Sequence, residues 1–248
     1  MKKNLFYLVI IFLFINCSDE KFDEDKQLTL DQLKLNNDVF DAGLKLMSMP
    51  VGLHKLELQH RNQETLVILV HGNRSRGYEW VYPMQVIDNE TNLITFFRWD
   101  DNSCINPSIN LLNELIQEKL KKNKNIQNLI LFGHSYGGLL VASFMDEWTG
   151  ELPIEVHTIA APLKGLGNLS LICNYKTPFQ VPKNSSLFEW RTIKKLDGAF
   201  RNLNYDPQNV EIIGSKVTRL PDRYKNNKLG HNWSISWVAD NLNKDIQR

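Results

Sequence analysis

Ser135 stands in the run Gly133-His134-Ser135-Tyr136-Gly137-Gly138. The apolar stretch Asn128–Phe132 precedes it, and a helix-like stretch from Leu139 to Trp148 follows. A Gly-x-Ser-x-Gly run between a strand and a helix forces the serine into a tight, strained turn and leaves its hydroxyl exposed at the end of a sheet. The flanking glycines fit because strand and helix pass too close there for side chains. A serine hydroxyl is a weak nucleophile and needs a base. Six histidines are available. His54 and His60 lie upstream of the first strongly apolar strand, and His71 sits in a Val-His-Gly loop where structural support is its natural role. His134 lies inside the turn and is expected to point away from the serine's face, and His157 is mid-strand. His231, in Leu229-Gly230-His231-Asn232-Trp233, follows the last expected strand and opens the final helix, which makes it the candidate base.

The elements that position these groups alternate along the chain. Thr29–Met47 reads as a helix, and Val51–Arg61 alternates in part, as an antiparallel edge strand does. Thr65–Val70 is continuously apolar after its threonine, the pattern of a strand buried on both faces of a parallel sheet. Leu93–Trp99 is the next expected strand. Pro107 opens a helix whose stripe is Ile109, Leu112, Leu115, Ile116 and Leu120, with Lys119, Lys121 and Lys122 at its C-terminal end. Strands are expected at Ile154–Ala160 and Asn209–Gly214, and a last helix from Asn232 carries Ile235, Val238, Leu242 and Ile246 on one face. Strands alternating with helices predict an α/β protein in three layers, a mostly parallel sheet covered on both faces. Leu166–Gln208 is long for a connection and is predicted to be a modest cap over the sheet's C-terminal edge.

Leu69-Val70-His71-Gly72-Asn73, the run Gly133–Gly138 and the late Gly230-His231 together resemble the α/β-hydrolase superfamily on its lipase and esterase side, over residues 52–246. The resemblance implies a Ser–acid–His triad, an acyl-enzyme intermediate and no cofactor. Carried onto this chain, Ser135 is the nucleophile, His231 the base, and the backbone N–H groups of Asn73 and Tyr136 the oxyanion donors. The acid departs from the pattern. A Gly-x-x-Asp-x-x-Val-Pro turn is usual, and here it reads Gly214-Ser215-Lys216-Val217-Thr218-Arg219-Leu220-Pro221, with Val217 at the aspartate's position. Asp222 follows directly and is the chosen acid. Asp197 and Asp206 are rivals, as is a dyad without an acid. Tyr78, Trp80, Tyr82 and Trp99 either line an acyl or ring-binding site or fill the core beneath loops.

The N-terminus carries a separate signal. Lys2 and Lys3 precede an apolar run, Leu5–Ile15, and then Cys17. That pattern is a secretory signal, with an apolar segment short for a membrane span, and a cysteine at the cleavage point resembles a bacterial lipoprotein. The domain boundaries expected are a signal at 1–17 ending in a lipidated Cys17, a flexible acidic tether at 18–28 and the catalytic domain at 29–248. The implied location is the bacterial cell envelope, exported and membrane-anchored, at the outer membrane or cell surface. An uncleaved anchor helix is the alternative. Cys104 and Cys173 are then free to form a disulfide, or remain buried thiols.

Composition narrows the partners. The formal net charge is +1 across 248 residues with no basic block, which argues against nucleic acid. Metal-binding spacings and phosphate loops are absent from the sequence. The expected partner is a small-molecule or lipid ester. Amide, thioester or acyl-transfer chemistry on the same triad is the alternative, as is a non-catalytic binding lipoprotein that keeps the fold.

Overall fold

In the computed structural model, residues 28–36, 38–57 and 62–246 are described. The proposed signal peptide, Cys17 and the proposed tether, apart from its last residue, lie outside the described residues, as do Leu58–Arg61. A 3₁₀ turn at Leu30–Gln32 leads to α1 (Val39–Ser48) and β1 (Gly52–Lys55). The helix expected from Thr29 is thus split, and only its second half is α-helical. Then come β2 (Thr65–Val70), α2 (Tyr78–Ile87), β3 (Asn92–Arg98), α3 (Ile105–Lys122), β4 (Asn128–His134), α4 (Tyr136–Glu147) and β5 (Ile154–Ile159). The remainder is α5 (Leu169–Ile172), β6 (Ser185–Arg191), β7 (Lys216–Arg219), the hairpin β8 (Arg223–Tyr224) and β9 (Asn227–Lys228), and α6 (Trp233–Ile246).

Seven strands form one sheet in the order β1-β3-β2-β4-β5-β6-β7. β1 pairs antiparallel with β3, and every other pair is parallel. The continuous apolar run of β2 has its reason here. Leu66, Ile68 and Val70 enter the core on one face and Val67 and Leu69 the core on the other, and all five are fully buried. α3 and α4 cover the first face, through Ile109, Leu112, Leu140 and Phe144. α1, α2 and α6 cover the second, through Leu46, Trp80, Met84, Ile235 and Val238. The result is the three-layer α/β architecture that the alternating pattern predicts.

Two expectations fail in the C-terminal third. Ser185–Arg191, inside the span expected to be a cap, is the sheet strand β6, paired with β5 from Ser185 to Trp190. Asn209–Gly214 is not a strand; Ile213 makes only an isolated bridge to Gln180, and the strand after β6 is β7. The physical cause is visible in β6. Glu189 and Arg191 are both buried, and a guanidinium N–H donates to Glu189 Oε2 at 2.6 Å. Ser215 donates its hydroxyl to Glu189 Oε1 at 2.6 Å, and Arg191 donates to the Val210 carbonyl at 2.6 Å. Charges that satisfy one another inside the sheet look, in sequence, like charges facing water.

Candidate functional site

Chain order reverses direction across the sheet at β2. β3 lies to one side and β4 to the other, so the loops after β2 and β4 diverge and leave a crevice at their carboxyl ends. Such a switch point is where open α/β sheets place ligand sites. The loop after β2 holds Gly72 and Asn73, and the turn after β4 holds Ser135.

Ser135 adopts φ 53° and ψ −119°, a region that non-glycine residues rarely occupy. The turn is held by two backbone hydrogen bonds. The Ser135 N–H donates to the Ile159 carbonyl at 2.9 Å, and the Gly138 N–H donates to the Ser135 carbonyl at 2.9 Å. The two glycines of the motif are there for space. A Cβ on Gly133 would lie 2.4 Å from the Gly137 carbonyl oxygen, and one on Gly137 would lie 2.4 Å from the His71 carbonyl oxygen. Strand, helix and the loop after β2 therefore meet without side chains between them, and this brings Asn73 to the serine.

A cleft of ≈ 180 Å³ opens at this point, lined among others by Asn73, His134, Ser135, His231 and Asn232. The N–H groups of Asn73 and Tyr136 have no protein acceptor among the described residues. That of Tyr136 is at the N-terminus of α4, where the helix dipole favours negative charge. The loop bearing Asn73 is fixed by Asp101. Its Oδ2 accepts the Arg74 N–H at 2.5 Å, and its carbonyl accepts from the Asn73 side chain at 2.6 Å. His71 braces the loop from below, as its sequence position implies. Its Nδ1–H donates to the Gly72 carbonyl at 2.9 Å, and its Nε2 accepts the Trp99 N–H at 3.3 Å. Burial pushes His71 down to about 4, so the ring is neutral at pH 7.

His231 meets an aspartate, and that aspartate is Asp197. His231 Nδ1–H donates to Asp197 Oδ2 at 2.9 Å, and His231 lines the same cleft as Ser135. The Asp197 carboxylate is fully buried and held by two further donors. The Thr192 hydroxyl reaches Oδ2 at 2.5 Å and the Ala199 N–H reaches Oδ1 at 2.9 Å. Asp222 is exposed, and its carbonyl accepts the Leu229 N–H at 2.9 Å, closing the β8–β9 hairpin. Asp206 caps its own turn at Gln208 and reaches Arg219 at 3.3 Å. Choosing Asp222 as the partner of His231 is therefore corrected to Asp197. The chain order remains serine, aspartate, histidine, but the aspartate follows β6 and not β7. Val217 stands exposed on β7 opposite Glu189 in the ladder, away from any role beside His231.

His134 also departs from expectation. It lines the same cleft as Ser135, its ring packs 4.5 Å from that of His231, and its Nε2–H donates to the His231 carbonyl at 3.2 Å. Full burial, with the nearby His231 ring adding to it, holds His134 well below the usual histidine range, so it supports His231 as a neutral donor. Phe200 meets the His231 ring edge-on at 5.1 Å. Of the four aromatics expected near the site, Tyr78 lines the cleft and receives a hydrogen bond from Asn232 at 3.1 Å. Trp80 and Trp99 are fully buried core residues, and Tyr82 bonds Asp240 on α6 at 2.5 Å. Cys104 and Cys173 are joined in a disulfide, with Cα atoms 5.3 Å apart. It ties the start of α3, just past Asp101, to the end of α5. Among the described residues no cluster of His, Cys, Asp and Glu is arranged to hold a metal ion.

The sheet order, the strained serine turn after β4 and the Asp–His pair at the sheet's carboxyl edge define the α/β-hydrolase fold. Solved structures share it. A lipase-esterase related protein from Clostridium acetobutylicum superposes with a TM-score of 0.50 at 13% identity, over 79% of this chain and 98% of that one. An α/β serine hydrolase without a lid from Xanthomonas campestris superposes with a TM-score of 0.51 at 13% identity, over 79% of this chain and 87% of that one. No family model matches the sequence, and no curated protein is similar to it in sequence.

Proposed function

We propose that this chain is a serine hydrolase that cleaves carboxylic esters through an acyl-enzyme intermediate. The observation that carries the reading is the buried Asp197–His231 hydrogen bond of 2.9 Å in a site that shares one cleft with the strained Ser135. In this reading His231 Nε2 takes the Ser135 proton as Oγ attacks the carbonyl carbon. Asp197 holds the ring in the tautomer that leaves Nε2 unprotonated and stabilises the imidazolium that forms. The N–H groups of Asn73 and Tyr136 receive the developing oxyanion, which preorganised donors stabilise more than the ground-state carbonyl. His231 then protonates the leaving alcohol, and water attacks the acyl-enzyme by the reverse sequence. A fluorophosphonate probe should label the protein at Ser135. Ser135→Ala should abolish labelling and lower turnover of an activated ester by about 10⁶-fold. Labelling that survives Ser135→Ala overturns the reading.

Export and membrane attachment through Cys17 belong to the same proposal. Support comes from the sequence of residues 1–17 and from the Cys104–Cys173 disulfide, since such bonds persist in oxidising compartments. Incorporation of labelled palmitate by intact cells, lost in Cys17→Ser, is the expected result; equal incorporation in both would refute a lipid anchor there.

A further inference from the structure

The cleft beside Ser135 is unlike an acyl-chain channel. Ligand sites are mostly apolar, with a few polar groups that set orientation. This one is small, ≈ 180 Å³, and its walls include Asn73, Arg74, Ser75, Arg76, Glu79 and Asn232. Glu79, in the first turn of α2, is 7% exposed. The Ser75 hydroxyl donates to its Oε1, and the Gly77 N–H in turn donates to Ser75 Oγ at 3.1 Å. That chain of donors orients the carboxyl and satisfies one oxygen. The other, Oε2, is buried with no hydrogen-bond partner among the described residues. A buried acceptor left unpaired is costly, the more so for a charged group. Arg74 and Arg76 line the same cleft on the same loop, yet neither pairs with Glu79 or with any other carboxylate among the described residues.

We infer that Glu79 is a specificity residue, whose Oε2 accepts a hydrogen bond from a hydroxyl on the substrate beside the scissile ester. The inference rests on the ester-hydrolase reading above and adds the substrate class: short, hydroxylated esters and not long-chain acyl lipids. A hydroxyl is favoured over an ammonium as the donor because two guanidiniums with no carboxylate partner among the described residues flank the cleft and repel a cation. A site built to bond a substrate hydroxyl rejects the analogue that lacks it, because its own polar group is then left unpaired.

Matched pairs of esters test this. Phenyl glycolate against phenyl propionate places the hydroxyl on the acyl side, and 2-hydroxyethyl acetate against propyl acetate places it on the alcohol side. A hydroxyl also activates an ester chemically, so each kcat/KM ratio is read against the ratio for hydroxide-catalysed hydrolysis. In at least one pair the wild-type ratio should exceed the hydroxide ratio by about tenfold or more, and Glu79→Leu, which keeps the bulk but neither accepts nor donates a hydrogen bond, should bring it back to the hydroxide ratio. Wild-type ratios equal to the hydroxide ratios in both pairs overturn the inference. So does a preference that survives Glu79→Leu, which would make Glu79 a structural group satisfied by water. If Glu79→Leu fails to fold, judged by its thermal transition, the wild-type ratios alone decide. Fluorophosphonate labelling of Ser135 separates the two levels: labelling with no hydroxyl preference removes this inference only, whereas no labelling removes the ester-hydrolase reading and this inference with it.

Discussion

Two aspartates follow neighbouring strands of the same sheet edge, and they have opposite fates. Asp197, after β6, is fully buried and accepts from Thr192, Ala199 and His231. Asp222, after β7, is exposed, and its backbone carbonyl closes a hairpin. Both precede His231 in the chain, and Asp222 is much the closer in sequence. Proximity along the chain therefore says little about which carboxylate reaches the histidine. What matters is which strand delivers the aspartate to the end of the sheet beside the serine turn. β6 is two strands from β4 and β7 is three.

The same contrast can be broken from several directions. The largest structural effect is expected at the strand that carries Asp197. Removing one partner of a buried ion pair costs about 3–5 kcal/mol, because the remaining charge is left unpaired. Glu189→Ala should destabilise the fold by that amount in urea or guanidinium unfolding, since it strands Arg191 in the sheet. A cost below about 1 kcal/mol would mean that the pair does not hold β6 in place. Next is the disulfide that ties the start of α3, just past Asp101, to the end of α5. It closes a separation of 69 residues, and loss of such a bond typically costs about 2–4 kcal/mol. Cys104→Ala with Cys173→Ala should lower the denaturant midpoint accordingly; an unchanged midpoint would contradict this.

A smaller, pH-dependent effect comes from histidines on the serine side and in the sheet. Burial holds His71 at about 4, against 6.5 for an ordinary histidine, and lowers His54, His134 and His157 as well. The unfolded chain therefore binds protons below pH 6.5 that the folded chain refuses. The stability they confer is present above that pH and is lost as pH falls towards 4. Glu57 acts in the opposite sense. Burial pushes its carboxyl up from 4.5 to about 7, so its contribution is lost as pH rises through that range. Burial raises Asp88 in the same sense as Glu57, and four histidines against these two carboxyls give a melting temperature that should fall between pH 6.5 and pH 4. A melting temperature that rises on acidification would contradict the balance.

The serine half of the site was legible because its constraints are local. The continuous apolar run of β2, the Gly-x-Ser-x-Gly turn and the helix behind it are each stated within about ten residues, and Ser135, Asn73 and His231 all meet in one cleft. His134 was misplaced because its side depends on how the strained turn rotates the preceding residue, which the motif alone does not show. The acid half is written non-locally. β6 hides a buried Glu189–Arg191 pair behind a surface-like pattern, and β7 exposes all four of its residues. The more apolar Asn209–Gly214 imitated the missing strand. Skipping β6 moved the search for the acid one strand too far, onto the turn with Val217, and Asp197, which bonds His231, was left among the rivals.

The most direct test compares Asp197→Asn with Asp222→Asn on an activated ester, each normalised to the amount of folded protein judged by its thermal transition. Losing the triad acid while keeping its shape lowers turnover by about 10⁴-fold in a characterised serine hydrolase. A loss of that order is expected for Asp197→Asn, with Asp222→Asn within about twofold of wild type, as for an exposed residue outside the site. Near-normal turnover in Asp197→Asn, or a collapse in Asp222→Asn, would contradict the Ser135–His231–Asp197 arrangement at its centre.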